Sequence, residues 1–461
     1  MSPSPERQLI LSLCLIVTCC TLFFSQAAIT DNADGKSMFE VTKSFVEHRS
    51  LAIDARYGFP GRDGKFYASH GLGLPLVAVI PYLLARPLAR TLSLREHLTE
   101  AAVASFIPLV TGLLVVALYR LARRLETNVR TAVLVAVGAV AGTHFLAYTK
   151  EFFSEPLATL FVVVAIERAV VLRPLASGIA AAAAALTRPQ FFLFAPILAW
   201  RLWRDGGWSA LLRSAAPWFV APALTLGYNF ARFGDPMHFG YAGLGFTTPF
   251  LQGAQGLLFH PEKSIFLFAP IVVLIPFGLR QVWRINRTAF WLLTGNLVLT
   301  FCTMAKWIDW YGGWVWGPRP LIPAVIPAIV AIAPWANRLG TRRVLVSSLF
   351  LIGFLISAPT LIVSQRAQLI SHPPQYGPSV IRQFRLVPET LRFTREHLLD
   401  ASARNQRYER YVNTWQVSLI RLAGLRGILF ASVLSLTLAT MALVCAHRAL
   451  RTIRQTHLRD R

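Results

Sequence analysis

The feature that most constrains this chain is the recurrence of apolar runs of roughly 14 to 22 residues, separated by short breaks rich in arginine. They lie near residues 9–29, 101–121, 130–148, 156–172, 174–187, 189–203, 210–230, 263–283, 288–305, 318–335, 344–363 and 425–446. With 54% hydrophobic and only 15% charged residues, the chain does not suit a soluble globule. The expectation is an all-α polytopic membrane protein with about 12 transmembrane helices. The first run is read as a retained helix rather than a cleaved leader, because it reaches Ile29 and the remaining chain is equally membranous.

A net charge of +24 would suggest a nucleic-acid partner in a soluble protein. Here the arginines fall between apolar runs, as membrane orientation requires, so no nucleic acid is expected. Arg120, Arg123, Arg124 and Arg130 mark one inner loop; Arg201, Arg204 and Arg213 mark the next; Arg280, Arg284 and Arg287, then Arg338, Arg342 and Arg343, mark two more. The run Gly71 to Ala89 is broken by Pro75, Pro81 and Pro87 and is assigned to the interface, since counting it as a span would put every later basic loop on the wrong side. Both termini then fall inside. The outer face collects residues 30–100, the Lys150 to Glu155 turn, Thr187-Arg188, and residues 231–262, 306–319 and 364–424.

Every chemically suggestive cluster thus lands on one side. A transporter would set its polar groups near the bilayer midplane instead. The five cysteines all lie inside apolar runs, with no CxxC pair, so no disulfide framework or structural zinc is implied. Two modules are expected: residues 1–335, including the outer loop 30–100, and residues 336–461, whose outer segment 364–424 carries an amphipathic helix from Pro388 to about Tyr411.

Asp31 and Asp34 follow the first run, where a carboxylate at the membrane rim can take a proton from an incoming hydroxyl. They also suit the solvated end of a spanning helix. Glu151-Phe152-Phe153-Ser154-Glu155-Pro156 is a second acidic turn, where helix capping explains one acid better than two. Lys306-Trp307-Ile308-Asp309-Trp310-Tyr311-Gly312-Gly313, continuing to Gly317-Pro318-Arg319, is an aromatic, glycine-rich loop bracketed by cations. An interfacial aromatic belt explains its tryptophans, but its paired glycines suggest a backbone bent to gather Lys306, Asp309 and Arg319. Arg188 interrupts two apolar runs and must snorkel or pair. His70 and His260 have no partner at helical ligand spacing, and the outer connection from Tyr228 to Lys263 reads as wall or lid.

Taken together, Asp34, then Tyr57 to Leu76 with Gly61-Arg62-Asp63-Gly64-Lys65-Phe66-Tyr67-Ala68-Ser69-His70-Gly71, Ser154-Glu155-Pro156, Thr187-Arg188-Pro189, Tyr228-Asn229 with Arg232-Phe233-Gly234, and Trp310-Tyr311-Gly312-Gly313 with Gly317-Pro318-Arg319 resemble the polytopic glycosyltransferases of the GT-C fold. More narrowly, they resemble bacterial relatives of protein O-mannosyltransferases and aminoarabinose transferases. The resemblance covers residues 9 to 335. It implies juxtamembrane helices in the first outer loop and a plasma-membrane enzyme with its site on the extracytoplasmic face. The implied reaction moves a hexosyl or pentosyl group, with inversion, from a polyprenyl-phosphate donor to a hydroxyl of a glycan, lipid or protein.

In that scheme Asp34 is the base, with Asp31 its reserve, and Glu155 orients the acceptor or holds a divalent metal. Gly35 after Asp34 departs from the commoner acidic pair. His70, Arg188, Lys306, Asp309, Tyr311 and Arg319 are the expected substrate-binding residues. A phosphate leaving group needs charge neutralisation more than a proton, so one base with nearby cations suffices. The alternative is a non-enzymatic flippase or transporter of a lipid-linked saccharide, which would share the groove and cations without needing a poised base.

Overall fold

The computed structural model describes residues 4–26, 28–29, 33–91, 95–240, 245–371, 375–400 and 410–459. Among these, all regular structure is helical except a hairpin of β1 (Phe59–Pro60) and β2 (Phe66–Tyr67). The chain starts with α1 (Pro5–Phe23), followed by α2 (Ala33–His48), α3 (Gly73–Thr91) and α4 (Arg95–Ala104). A central group follows: α5 (Phe106–Arg124), α6 (Val129–Ala141), α7 (Ser154–Val170), α8 (Pro174–Thr187) and α9 (Ala195–Phe233). Next come α10 (Phe250–Phe259), α11 (Ile265–Phe268), α12 (Ile275–Ile285), α13 (Arg287–Lys306), α14 (Ile322–Ile329), α15 (Ile332–Ala336) and α16 (Gly340–Ser357). The last elements are α17 (Ala367–Ser371), α18 (Val380–His397), α19 (Trp415–Ala423) and α20 (Leu425–Arg459).

Among the described residues, five helical stretches are long and apolar enough to cross a membrane: Pro5–Phe23, Leu98–Arg124, Arg287–Lys306, Gly340–Leu361 and Leu425–Ile453. The other apolar runs fall on shorter or broken helices, and proline is a main reason. The run 263–283 divides into α11, a 3-10 turn from Pro270 to Leu274, and α12. The run 318–335 divides into a turn at Arg319–Leu321, then α14 and α15, with Pro320, Pro323, Pro327 and Pro334 along it. The runs 189–203 and 210–230 are joined through α9, which turns at Gly207 with a left-handed φ of 67°. The run 130–148 ends its helix at Ala141, and Thr143 caps a 3-10 turn in its place.

Small residues let the central helices approach. A Cβ on Gly178 of α8 would sit 2.4 Å from the Ser214 carbonyl oxygen of α9, and Ser177 Oγ donates to the Ala165 carbonyl of α7 at 2.7 Å. α7 lies in the middle, against α5, α8 and α14. Its Val162 and Ile166 are sealed together with Leu114, Leu118 and Ile326. Outside this core the bundle is apolar where a soluble protein would be polar: Leu113, Phe219, Val298, Leu351 and Phe430 are exposed, as lipid-facing side chains must be. The chain is an all-α polytopic membrane protein in which α2 and α3 lie between the first two candidate spans.

The outer segment differs from the expected pattern. Its helix is α18, Val380–His397, which begins before Pro388 and holds that proline inside it. Fastening of Gln383 to the Val363 carbonyl at 3.2 Å and to Gln368 at 2.6 Å sets the earlier start, a tertiary effect that local periodicity does not carry.

Candidate active site

Four distant stretches of chain meet at Arg319. Its Nη1 donates to Asp34 Oδ2 at 2.7 Å, and its Nε lies 3.2 Å from Glu155 Oε1. The Nε contact is close enough to pair charges but is not aligned as a hydrogen bond, so this buried donor stays unfilled. Arg188 Nη1 binds the same Glu155 oxygen at 2.6 Å and Ser154 Oγ at 3.1 Å. His70 Nε2 stands 3.6 Å from Asp34 Oδ1, and its buried Nδ1 has no hydrogen-bond partner among the described residues. The guanidinium of Arg319 also lies over the Phe153 ring, 4.8 Å from its centroid.

Local structure explains each position. Asp34 is in the first turn of α2 and Glu155 in the first turn of α7, where the exposed backbone N–H groups favour acids. Arg188 is the residue at which α8 stops, its backbone already extended at φ −142° before Pro189. His70 comes close because Gly71 and Gly73 lie on the end of α8. A Cβ on Gly71 would be 2.6 Å from the Leu186 and Thr187 carbonyl oxygens, and one on Gly73 would be 2.3 Å from Thr187 Oγ1.

The carboxyls differ in access. Glu155 has no accessible side-chain surface, whereas Asp34 retains 37%. Burial by itself would raise the Asp34 pKa, but Arg319, followed by His70, more than offsets it and holds the carboxyl well below the usual range.

Arg319 is presented by a loop that is itself pinned from inside. Lys263, fully buried, donates from Nζ to the carbonyls of Gly313, Val315 and Gly317 at 2.9, 2.7 and 3.1 Å. Gly312, Gly313 and Gly317 take left-handed φ values of 72°, 82° and 61°, which let the backbone curl around that ammonium. Burial, then Arg319, push the Lys263 pKa well below its ordinary value. Trp316 is held by Tyr148, whose hydroxyl donates to its carbonyl at 2.6 Å, and by Gln365 Oε1, which accepts its N–H at 2.8 Å. Gln365 in turn donates to Glu151 at 2.6 Å.

Asp34, His70, Glu155, Arg188 and Arg319 are therefore brought together. Lys306 is not: it is exposed at the end of α13 and makes no ion pair among the described residues. Asp309 and Tyr311 sit on the loop's other side, with Tyr311 packed 5.1 Å from Tyr376 and pushed up to about 12 by burial and by Asp309. Asp31 lies outside the described residues. Tyr228, Asn229 and Arg232 form wall, as expected, since Arg232 binds the Ala68 carbonyl and Asn229 Oδ1 and so supports the segment that carries His70. Among the described residues, no three of His, Cys, Asp and Glu gather as a metal-ligand set.

Sequence reasoning missed Lys263, Tyr148, Glu151 and Gln365 as parts of the site. Lys263 did have a signal, as a lone cation between two apolar stretches. A cavity of about 480 Å³ opens elsewhere along α2, between residues such as Lys43, Glu47, Asp54 and Tyr82. A smaller hollow beside His70 is lined by Tyr228, Asn229 and Arg232.

No family model matches the sequence, and a search of curated proteins finds no match. Solved structures do match. ArnT, the aminoarabinose transferase from Cupriavidus metallidurans, aligns in its apo state with a TM-score of 0.51 and 15% identity, over 96% of this chain and 76% of that one. Its complex with undecaprenyl phosphate aligns with a TM-score of 0.51 and 13% identity, over 97% and 78%. The archaeal oligosaccharyltransferase AglB from Archaeoglobus fulgidus, in complex with an inhibitory peptide and a dolichol-phosphate, gives 0.51 and 13% over 80% of this chain and 58% of that one. At such identity the likeness is one of architecture, and on that ground the chain has the GT-C fold that these membrane glycosyltransferases share.

Proposed function

We propose that this protein is a membrane glycosyltransferase that moves a sugar from a polyprenyl-phosphate donor to an acceptor hydroxyl on the extracytoplasmic face, with inversion at the anomeric carbon. The observation that carries this reading is the Asp34–Arg319–Glu155–Arg188 chain of charges, two carboxylates and two guanidiniums on one junction. The solved neighbours with the same fold were captured with undecaprenyl phosphate and with dolichol-phosphate, which supports a lipid phosphate as the carrier.

In this mechanism the acceptor hydroxyl gives its proton to Asp34 as its oxygen attacks the anomeric carbon. The bond from that carbon to the phosphate oxygen breaks, and the electron pair leaves with the lipid phosphate. Arg319 and Arg188 neutralise the charge that develops there. The unfilled Nε of Arg319 is a donor for such a phosphate. Glu155, sealed from solvent, holds the two guanidiniums in place rather than meeting the acceptor. His70 steadies Asp34 and faces the acceptor.

The resting ion pair makes Asp34 a weak base. A donor phosphate that draws Arg319 toward itself removes part of the charge holding the carboxyl down, so its basicity rises when donor is present. Residues 1–335 form the catalytic module, and residues 336–461 brace it through Gln365. The test is Asp34→Asn in membranes supplied with polyprenyl-phosphate sugar. Transfer is expected to stop while insertion and lipid binding persist; undiminished transfer rejects the role of Asp34.

A further inference from the structure

The outer helix α18 has three faces. Gln383, Thr390, Phe393 and Thr394 are buried against the protein. Ile381, Phe384, Pro388 and Leu391, spaced three and four residues apart, form a second stripe that no described residue covers, with Ile381 66%, Phe384 47% and Leu391 49% exposed. The remaining surface is charged and holds Arg382, Arg385 and Arg392 with Glu389 and Glu396, and Arg395 ends the apolar stripe one turn past Leu391. An apolar stripe beside an arginine-rich one is the pattern of a helix lying in a bilayer interface, with its apolar side about 5–10 Å deep and its cations among the headgroups.

Both ends of α18 are tied to places where spanning helices stop. At its start, Ser379 N–H and Gln383 both bind Gln368, at 2.9 and 2.6 Å, and Gln383 also binds the Val363 carbonyl. Val363 stands two residues past the turn that closes the candidate span Gly340–Leu361. Near its other end, Thr394 Oγ1 accepts from Val412 N–H at 2.8 Å. Three residues later, Trp415 donates to Ser25 and Leu22 carbonyls at the end of α1, at 2.8 and 3.0 Å.

From this geometry we infer that α18 lies in the headgroup layer of the same bilayer the bundle spans, with Ile381, Phe384 and Leu391 among the acyl chains and its arginines on anionic phospholipid phosphates. The excess of arginine over glutamate selects acidic headgroups over zwitterionic ones. Nothing in this placement depends on the chemistry at Asp34.

The test uses full-length protein whose five native cysteines have been replaced. Single nitroxide labels are placed at Phe384→Cys, Leu391→Cys and, on the charged face, Glu389→Cys. Each variant is reconstituted in bilayer discs of zwitterionic phospholipid with and without anionic phospholipid. Oxygen, which concentrates in acyl chains, is expected to relax the labels at 384 and 391 more than a water-soluble nickel chelate does, with the order reversed at 389. Anionic lipid should deepen both apolar positions, and Arg385→Gln with Arg392→Gln should remove that dependence on lipid. Nickel exceeding oxygen at 384 and 391 overturns the placement. So does shielding from both reagents, which would mean a protein partner covers the stripe. Equal depth in both lipids overturns the preference for acidic headgroups.

Discussion

Arg319 donates to Asp34 at 2.7 Å across 285 residues of chain, and the same guanidinium stands 3.2 Å from the sealed carboxylate of Glu155. One side chain therefore serves two acids of unequal access. Glu155 also has Arg188, so Arg319 is the member that a phosphate could draw away without leaving a buried carboxylate bare.

Replacing Arg319 with Gln strips one cation from a fully buried carboxylate. Because Arg188 stays on Glu155, thermal unfolding in detergent should show a loss of about 1.5–3 kcal/mol, the range for hydrogen bonds to charged groups. Arg319→Lys keeps the charge but loses the planar fork, so it should recover much of the stability and little of the transfer rate.

For Asp34→Asn, kcat should fall about 10²- to 10⁴-fold, the usual worth of a general base. A flippase reading predicts no such loss, and a transport assay with a fluorescent lipid-linked sugar would separate the two.

The same residue has a signature in acid. Its pKa is lowered on folding, because Arg319 and His70 outweigh the burial that raises it. The stabilising contribution is then complete above the unfolded value of about 4 and is lost as pH falls toward the depressed one. Wild type and Asp34→Asn should differ by a constant amount from neutral pH down to about pH 5 and converge below pH 4. Melting temperatures measured across that series decide it; a gap that widens in acid would contradict the ion pair.

Lys263→Met removes the cation from three loop carbonyls that turn inward around it. Hydrogen exchange of residues 313–317 should speed up and kcat should drop, while donor binding changes less, because the loop that presents Arg319 loses its anchor.

Close packing at Gly353 offers a test away from the site. A Cβ there would stand 2.1 Å from the Gly142 carbonyl oxygen, so Gly353→Ala should cost about 1–3 kcal/mol through displacement of α16. The lowered melting temperature should come with little change in the KM for donor.

Much of this was legible beforehand because membrane physics simplifies the code. Length and apolarity mark spans, and arginine in the breaks sets sidedness, so Asp34, Glu155, Arg188 and Arg319 could be assigned to one face from the sequence. Their convergence on one guanidinium was not legible, since it depends on how α2, α7 and α8 pack. Lys306 and Arg319 bracket the same loop and look equivalent in sequence. Only the inward curl around Lys263 sends Arg319 to the acids and leaves Lys306 outside. Lys263 itself stood at the end of a stretch assigned to wall, because an isolated lysine reads as solvated until its three carbonyl partners are seen.

The tie between Trp415 and the end of α1 bears on how the chain is made. The Trp415 indole reaches the Leu22 carbonyl, and α20 lies along α1, although the two tied residues are 393 apart. At roughly 5–20 residues per second, the ribosome needs on the order of 20 to 80 s to cover that interval. Through that time one flank of α1 has only lipid for a neighbour. This face of α1 is therefore met late, and a nascent chain stalled before Trp415 would expose an unmet surface to membrane quality control.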